Sequence, residues 1–134
     1  MSKKSTATKL VKHDFTTLKT PIYPKQAKLF IPDKYGYEII NFDDIVYCEA
    51  QGSYTHVHTQ DGLKICYSKT LKHVLTKFPS QQFMRIHQSY SVNLKHVSRI
   101  VSESGLRLVL TNGQEIPVSR AYRKALDVWL KVQL

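Results

Sequence analysis

The 134-residue chain reads as a mainly β, mostly antiparallel domain carrying two amphipathic helices. Three observations predict it. Short runs rich in Val, Ile, Leu, Tyr and Phe follow one another from residue 29 to residue 118, as half-buried strands do. Turn dipeptides punctuate the runs, and two segments change from strand spacing to the three-and-four spacing of a helix face.

Residues 1–27 are rich in Lys, Ser and Thr, include Pro21 and Pro24, and lack sustained periodicity. They read as a flexible basic lead-in, with the folded domain over residues 28–134. Strands are predicted at 29–31, 37–40, 45–49, 54–59 and 64–67, and again at 83–86, 90–92, 97–101, 106–110 and 115–118. Asp61-Gly62, Ser104-Gly105 and Asn112-Gly113 stand between runs, and their tolerance of positive φ suits the primed turns that join twisted strands. Between the two groups of strands, Leu71, Val74, Leu75 and Phe78 fall on one helical face; Ser68 is placed to cap it and Pro79 to end it, predicting a helix over 69–78. Tyr122, Ala125, Leu126, Trp129 and Leu130 repeat that spacing behind Ser119, with Trp129 as the largest anchor.

Composition excludes several classes. Apolar residues make up 42% and charged residues 22%, which supports a packed core rather than a disordered basic chain. No run approaches the roughly 18 apolar residues of a membrane span, and the N-terminus lacks the apolar block of a signal peptide, so a cytoplasmic protein is expected. Cys48 and Cys66 are too few for a disulfide scaffold and lack CxxC spacing; both read as buried small hydrophobes.

The net charge of +10 is unevenly divided. Residues 1–28 hold seven Lys and one Asp, residues 29–63 one Lys and six acids, and residues 64–134 twelve basic residues and three acids, giving +6, −5 and +9. One end of such a molecule attracts a polyanion and the other does not. The second helix sharpens this. Arg120, Arg123 and Lys124 crowd its start, where each positive charge opposes the helix dipole by about 0.3–1 kcal/mol. A phosphate there would meet free N–H groups and three cations together, which gives the broken rule a purpose.

Other residues invite chemistry that their spacing does not support. His56 and His58 share one side of a strand, but an i, i+2 pair without a third ligand at a diagnostic spacing is better read as a polar sheet face than as a metal site. Cys48 lies inside an apolar strand, where a thiol is inert, so no nucleophile is assigned and no enzyme, metal or cofactor is expected. Tyr47, Tyr67 and Tyr90 read as core; Tyr35, Tyr37 and Tyr54 stay open as stacking surfaces. Arg85 reads as a structural ion-pair partner for the acids of residues 29–63 rather than a phosphate contact.

Three separated segments carry a resemblance: I-V-Y-C-E-A-x-G-S-Y from Ile45, F-M-R-I-H-Q-S-Y-S-V-N from Phe83, and N-G-x-x-I-P-V-S-R from Asn112. Together, over roughly residues 28–130, they resemble the LytTR family of bacterial DNA-binding domains. The resemblance implies an elongated, multi-sheet antiparallel β fold of LytTR type with two or three short helices. It implies a DNA-binding transcription regulator whose loops enter successive major grooves of double-stranded DNA. Family contacts carry over to Ser53 and Tyr54, to His87 and Gln88, and to Ser119 and Arg120; Arg123 and Lys124 are added from charge. Gln88 can bond adenine and Arg120 guanine through their major-groove edges. Family habit further implies two copies on tandem repeats. With a lead-in too short for a receiver domain, a stand-alone domain is expected, regulated by a partner protein, by expression level or within a larger chain. Two other classes compete: an RNA or single-strand binding module, suggested by the tail and tyrosines, and a protein-interaction adaptor on the same scaffold.

Overall fold

The structure, a computed structural model, describes residues 20–23 and 27–134. The lead-in expected over residues 1–27 lies mostly outside the described residues.

Strands β1 (Lys28–Asp33) and β2 (Gly36–Asn41) form a two-stranded hairpin. Strands β3 (Ile45–Gln51), β4 (Tyr54–Thr59), β5 (Lys64–Tyr67), β6 (Phe83–His87) and β7 (Tyr90–Asn93) form an antiparallel sheet in the order β5-β4-β3-β7-β6. Strands β8 (Val97–Val101), β9 (Arg107–Leu110) and β10 (Glu115–Pro117) form a third sheet, with β9 central. Helix α1 (Leu71–Leu75) follows β5, and α2 (Arg123–Gln133) closes the chain.

The five-stranded sheet is apolar on both faces, and each face has its own core. On one face Ile45, Cys48, Val57 and Tyr67 meet Leu29, Ile31 and Ile40 of the hairpin and Leu71, Val74 and Phe78 from α1 and the turn after it. On the other, Val46, Tyr47, Ile86 and Val92 meet Leu108, Leu110 and Ile116 of the third sheet and Leu126 of α2, with Trp129 packed against them. Strict alternation would send Val46 and Tyr47 to opposite faces. A register shift between Ile45 and Tyr47 turns both to the second core, as a bulge does.

The expected elements are present, with local differences. The first helix is shorter than residues 69–78, and its cap is Thr70, whose hydroxyl accepts from the His73 N–H at 3.3 Å, rather than Ser68. Beyond Leu75 the chain continues in tighter i to i+3 turns through Phe78, which keeps that ring in the core. The second helix begins with a 3-10 turn at Arg120–Tyr122, so Arg120 precedes the α-helix proper. Of the three turn dipeptides only Ser104-Gly105 has both residues at positive φ, 59° and 100°. At Asp61-Gly62 and Asn112-Gly113 the glycine alone does, because four-residue loops join those strands. Cys66 is exposed on the edge strand β5, not buried.

Candidate nucleic-acid interface

Sheet register decides where the three sequence signatures meet. Gln51 pairs with Tyr54 across the β3–β4 turn, and Glu49 pairs with Tyr90 at the start of β7, so the β3–β4 and β6–β7 turns share one end of the five-stranded sheet. The Ala50 N–H donates to the Ser89 carbonyl at 2.8 Å and ties the two together. The Ser119 N–H donates to the Ile86 carbonyl at 2.9 Å, which brings the third signature to the same end. Gly52, with φ 61°, opens the two-residue β3–β4 loop in a conformation that side-chain-bearing residues adopt at a cost.

Ser53, Tyr54, His87, Gln88 and Ser119 stand at this end, and Arg120, Arg123 and Lys124 follow Ser119 in the 3-10 turn and the first turn of α2. Ser53, Tyr54, Gln88, Arg120, Arg123 and Lys124 are exposed; His87 and Ser119 are half-buried. His87 is oriented by its own turn: the Ser89 N–H donates to His87 Nδ1 at 3.0 Å, so in the neutral ring Nε2 carries the proton and is a donor. Arg120, Arg123 and Lys124 make no ion pair among the described residues. Neither the 3-10 turn nor α2 has a side-chain cap or an acid in its first turn, but the Tyr122 and Arg123 N–H groups donate to the Ser119 and Arg120 carbonyls, so the attraction for an anion expected there rests more on the three cations than on free N–H groups.

Arg85 is structural, as expected, but its partners are not acids. Its Nε donates to the His87 carbonyl at 2.9 Å, its guanidinium also donates to the Gln88 carbonyl, and it stands 5.8 Å from the Tyr122 ring centroid. Sequence reasoning missed both this clamp and Tyr122 as its platform. The available signal was an arginine three residues before a turn that lacks glycine.

The remaining candidates fold into the scaffold. Tyr47 and His58 stack at 4.1 Å between centroids, and His58 Nε2 bonds Glu49 Oε1 at 3.0 Å. Burial lowers the His58 pKa despite the carboxylate, and burial with the nearby Glu49 and Tyr90 pushes the Tyr47 hydroxyl up to about 12. Burial likewise pushes up the Cys48 thiol, which stays protonated. Among the described residues no three His, Cys, Asp or Glu side chains are placed to hold a metal, and no helix is long and apolar enough to cross a membrane.

The model of the LytTr DNA-binding domain matches residues 35–131, more than half of the chain. The chain belongs to the LytTR family. It is similar to the sensory transduction protein LytT of Bacillus cereus, 30% identical over 115 residues that cover 84% of this chain and 46% of that protein. It is also similar to the transcriptional regulatory protein BtsR of Escherichia coli K12, 31% identical over 107 residues, covering 76% of this chain and 43% of that one. The LytTr DNA-binding domain of a Bacillus cereus protein has the same fold, with a TM-score of 0.69 and 25% identity over 79% of this chain and 98% of that domain. This LytTR chain spans about half the length of the LytT relatives it matches.

Proposed function

We propose that the chain is a non-enzymatic, sequence-specific regulator of transcription that binds duplex DNA in the bacterial cytoplasm, through loops that enter successive major grooves. The observation that carries this reading is the gathering of the turns of three signature segments at one end of the sheet, next to a basic helix start whose Arg120, Arg123 and Lys124 are exposed and make no ion pair among the described residues. Arg120 reads guanine O6 and N7, Gln88 reads adenine N6 and N7, and His87 offers its Nε2 proton to an acceptor at a base edge or phosphate. Ser53, Tyr54 and Ser119 complete the contact, while Arg123 and Lys124 neutralise phosphates and give affinity without sequence information. Two copies occupy tandem repeats, and control comes through a regulatory protein partner.

Exposed Tyr35 and Tyr37 favour a second reading, stacking on unpaired bases of RNA or single strands. They lie on the hairpin beside Asp33 and Glu38, whose charge repels a polyanion, and this weakens it.

Selection of bound duplexes from a random-sequence library, run with the wild-type chain and Arg120→Ala, tests the main reading. Enrichment of paired, regularly spaced motifs is expected, with a loss of about 1–3 kcal/mol at the selected site in Arg120→Ala and much less on random DNA. Equal losses would assign Arg120 to the backbone. Preferential capture of structured RNA at equal salt would favour the second reading.

A further inference from the structure

The turn between β6 and β7 is unusual in its construction. Two residues, Gln88 and Ser89, join the strands, and neither has positive φ. Two-residue hairpin loops ordinarily use primed turns with positive φ, because the unprimed forms splay strands against their natural twist. Here the register shifts between Arg85 and His87, and side chains hold the turn closed. The half-buried Arg85 bonds both the His87 and Gln88 carbonyls, and His87 Nδ1 accepts from the Ser89 N–H. The guanidinium that grips this turn also faces the ring of Tyr122, the last residue of the 3-10 turn that carries Arg120.

We infer that Arg85 is a positioning residue for base readout: it fixes the His87–Gln88 turn against the start of α2, so that Gln88 and Arg120 meet DNA as one rigid unit. The inference rests on the proposed interface and adds a residue to it that touches no base. The planar fork of arginine matters here. Two donors reach two successive carbonyls while the guanidinium stays over an aromatic ring, and a lysine ammonium can do only part of this. A contact that serves only a phosphate, by contrast, needs charge and reach, which lysine retains.

Arg85→Lys therefore separates the two roles. Affinities of the wild-type chain and Arg85→Lys for a duplex selected by the wild-type chain, and for a shuffled duplex, are measured across salt, and amide exchange at Gln88 and Ser89 is followed in the free proteins. The expected result is a salt slope like that of wild type, a preference for the selected duplex reduced roughly five- to fifty-fold, and faster exchange at the turn. An undiminished preference in Arg85→Lys overturns the inference. A wild-type chain with no preference at all overturns the proposed function as well, so the two failures are distinguishable. Should Arg85→Lys not fold, Tyr122→Leu removes the cation–ring contact and keeps the carbonyl bonds; a reduced preference supports the coupling, and a preference equal to wild type overturns it.

Discussion

The two ends of the five-stranded sheet differ in their turns, two-residue loops at one and 3-10 turns with a four-residue loop at the other, and they use their polar groups differently. At the end that holds the 3-10 turn Phe42–Asp44 and the start of β3, the polar side chains form a network of internal bonds. Asp43 accepts from Lys95 Nζ at 2.9 Å and Gln82 Nε2 at 2.7 Å, and these bonds hold its carboxyl below the usual range. Asp44 accepts from Gln60 Nε2 at 2.8 Å. Buried Asn93 donates to the Phe42 and Ile45 carbonyls, and His96 bridges the Asp43 carbonyl to the Thr111 hydroxyl. The opposite end fixes its backbone through Arg85 and His87 but leaves Ser53, Gln88, Arg120, Arg123 and Lys124 open to solvent. Polar groups that bond one another hold a fold; polar groups held in place yet left open are prepared for a partner.

Substitutions at the two ends should therefore separate stability from binding. The largest effect on folding is expected at the closed end. Asn93→Ala removes the buried donor to the Phe42 and Ile45 carbonyls and the Oδ1 acceptor to which the Lys95 N–H donates, and should cost about 2–4 kcal/mol in denaturant unfolding while leaving the DNA preference of the folded fraction intact. At the open end Lys124→Ala should leave stability near wild type, weaken binding to every sequence alike and reduce the salt slope by about one. The contrast with Arg120→Ala, whose loss concentrates on the selected site, sharpens the division between reading and anchoring. The smallest effect concerns His58. Its folded pKa lies below the ordinary 6.5, so its contribution to stability is fully present above that value and is lost as pH falls through it toward the folded pKa. The melting temperature should drop modestly between about pH 7.5 and 5.5, and His58→Gln should flatten that drop.

Much of the scaffold was legible because it follows alternation. Leu29, Ile31, Val57 and Leu108 lie in runs whose period puts them inside, and Leu126 and Trp129 mark the docked face of α2. The site residues were legible through the family signatures, which place Gln88 and Arg120 at breaks between elements. What escaped was set by side-chain geometry rather than period. Val46 and Tyr47 share a face only because of a bulge, and the tight loops fell at Gly52-Ser53 and Gln88-Ser89 instead of at the Asn-Gly and Asp-Gly signals. Arg85 was assigned to acids by charge, whereas its donors meet carbonyls that the turn would otherwise leave open.

The most direct test of the division between the two ends is amide hydrogen exchange of the wild-type chain with and without a selected duplex. Protection confined to residues 52–54, 87–89 and 119–124, with residues 42–44 and 60–63 unchanged, is the expected result. Protection at the acidic end, or none at the three converging segments, would contradict the assignment of the open end to DNA.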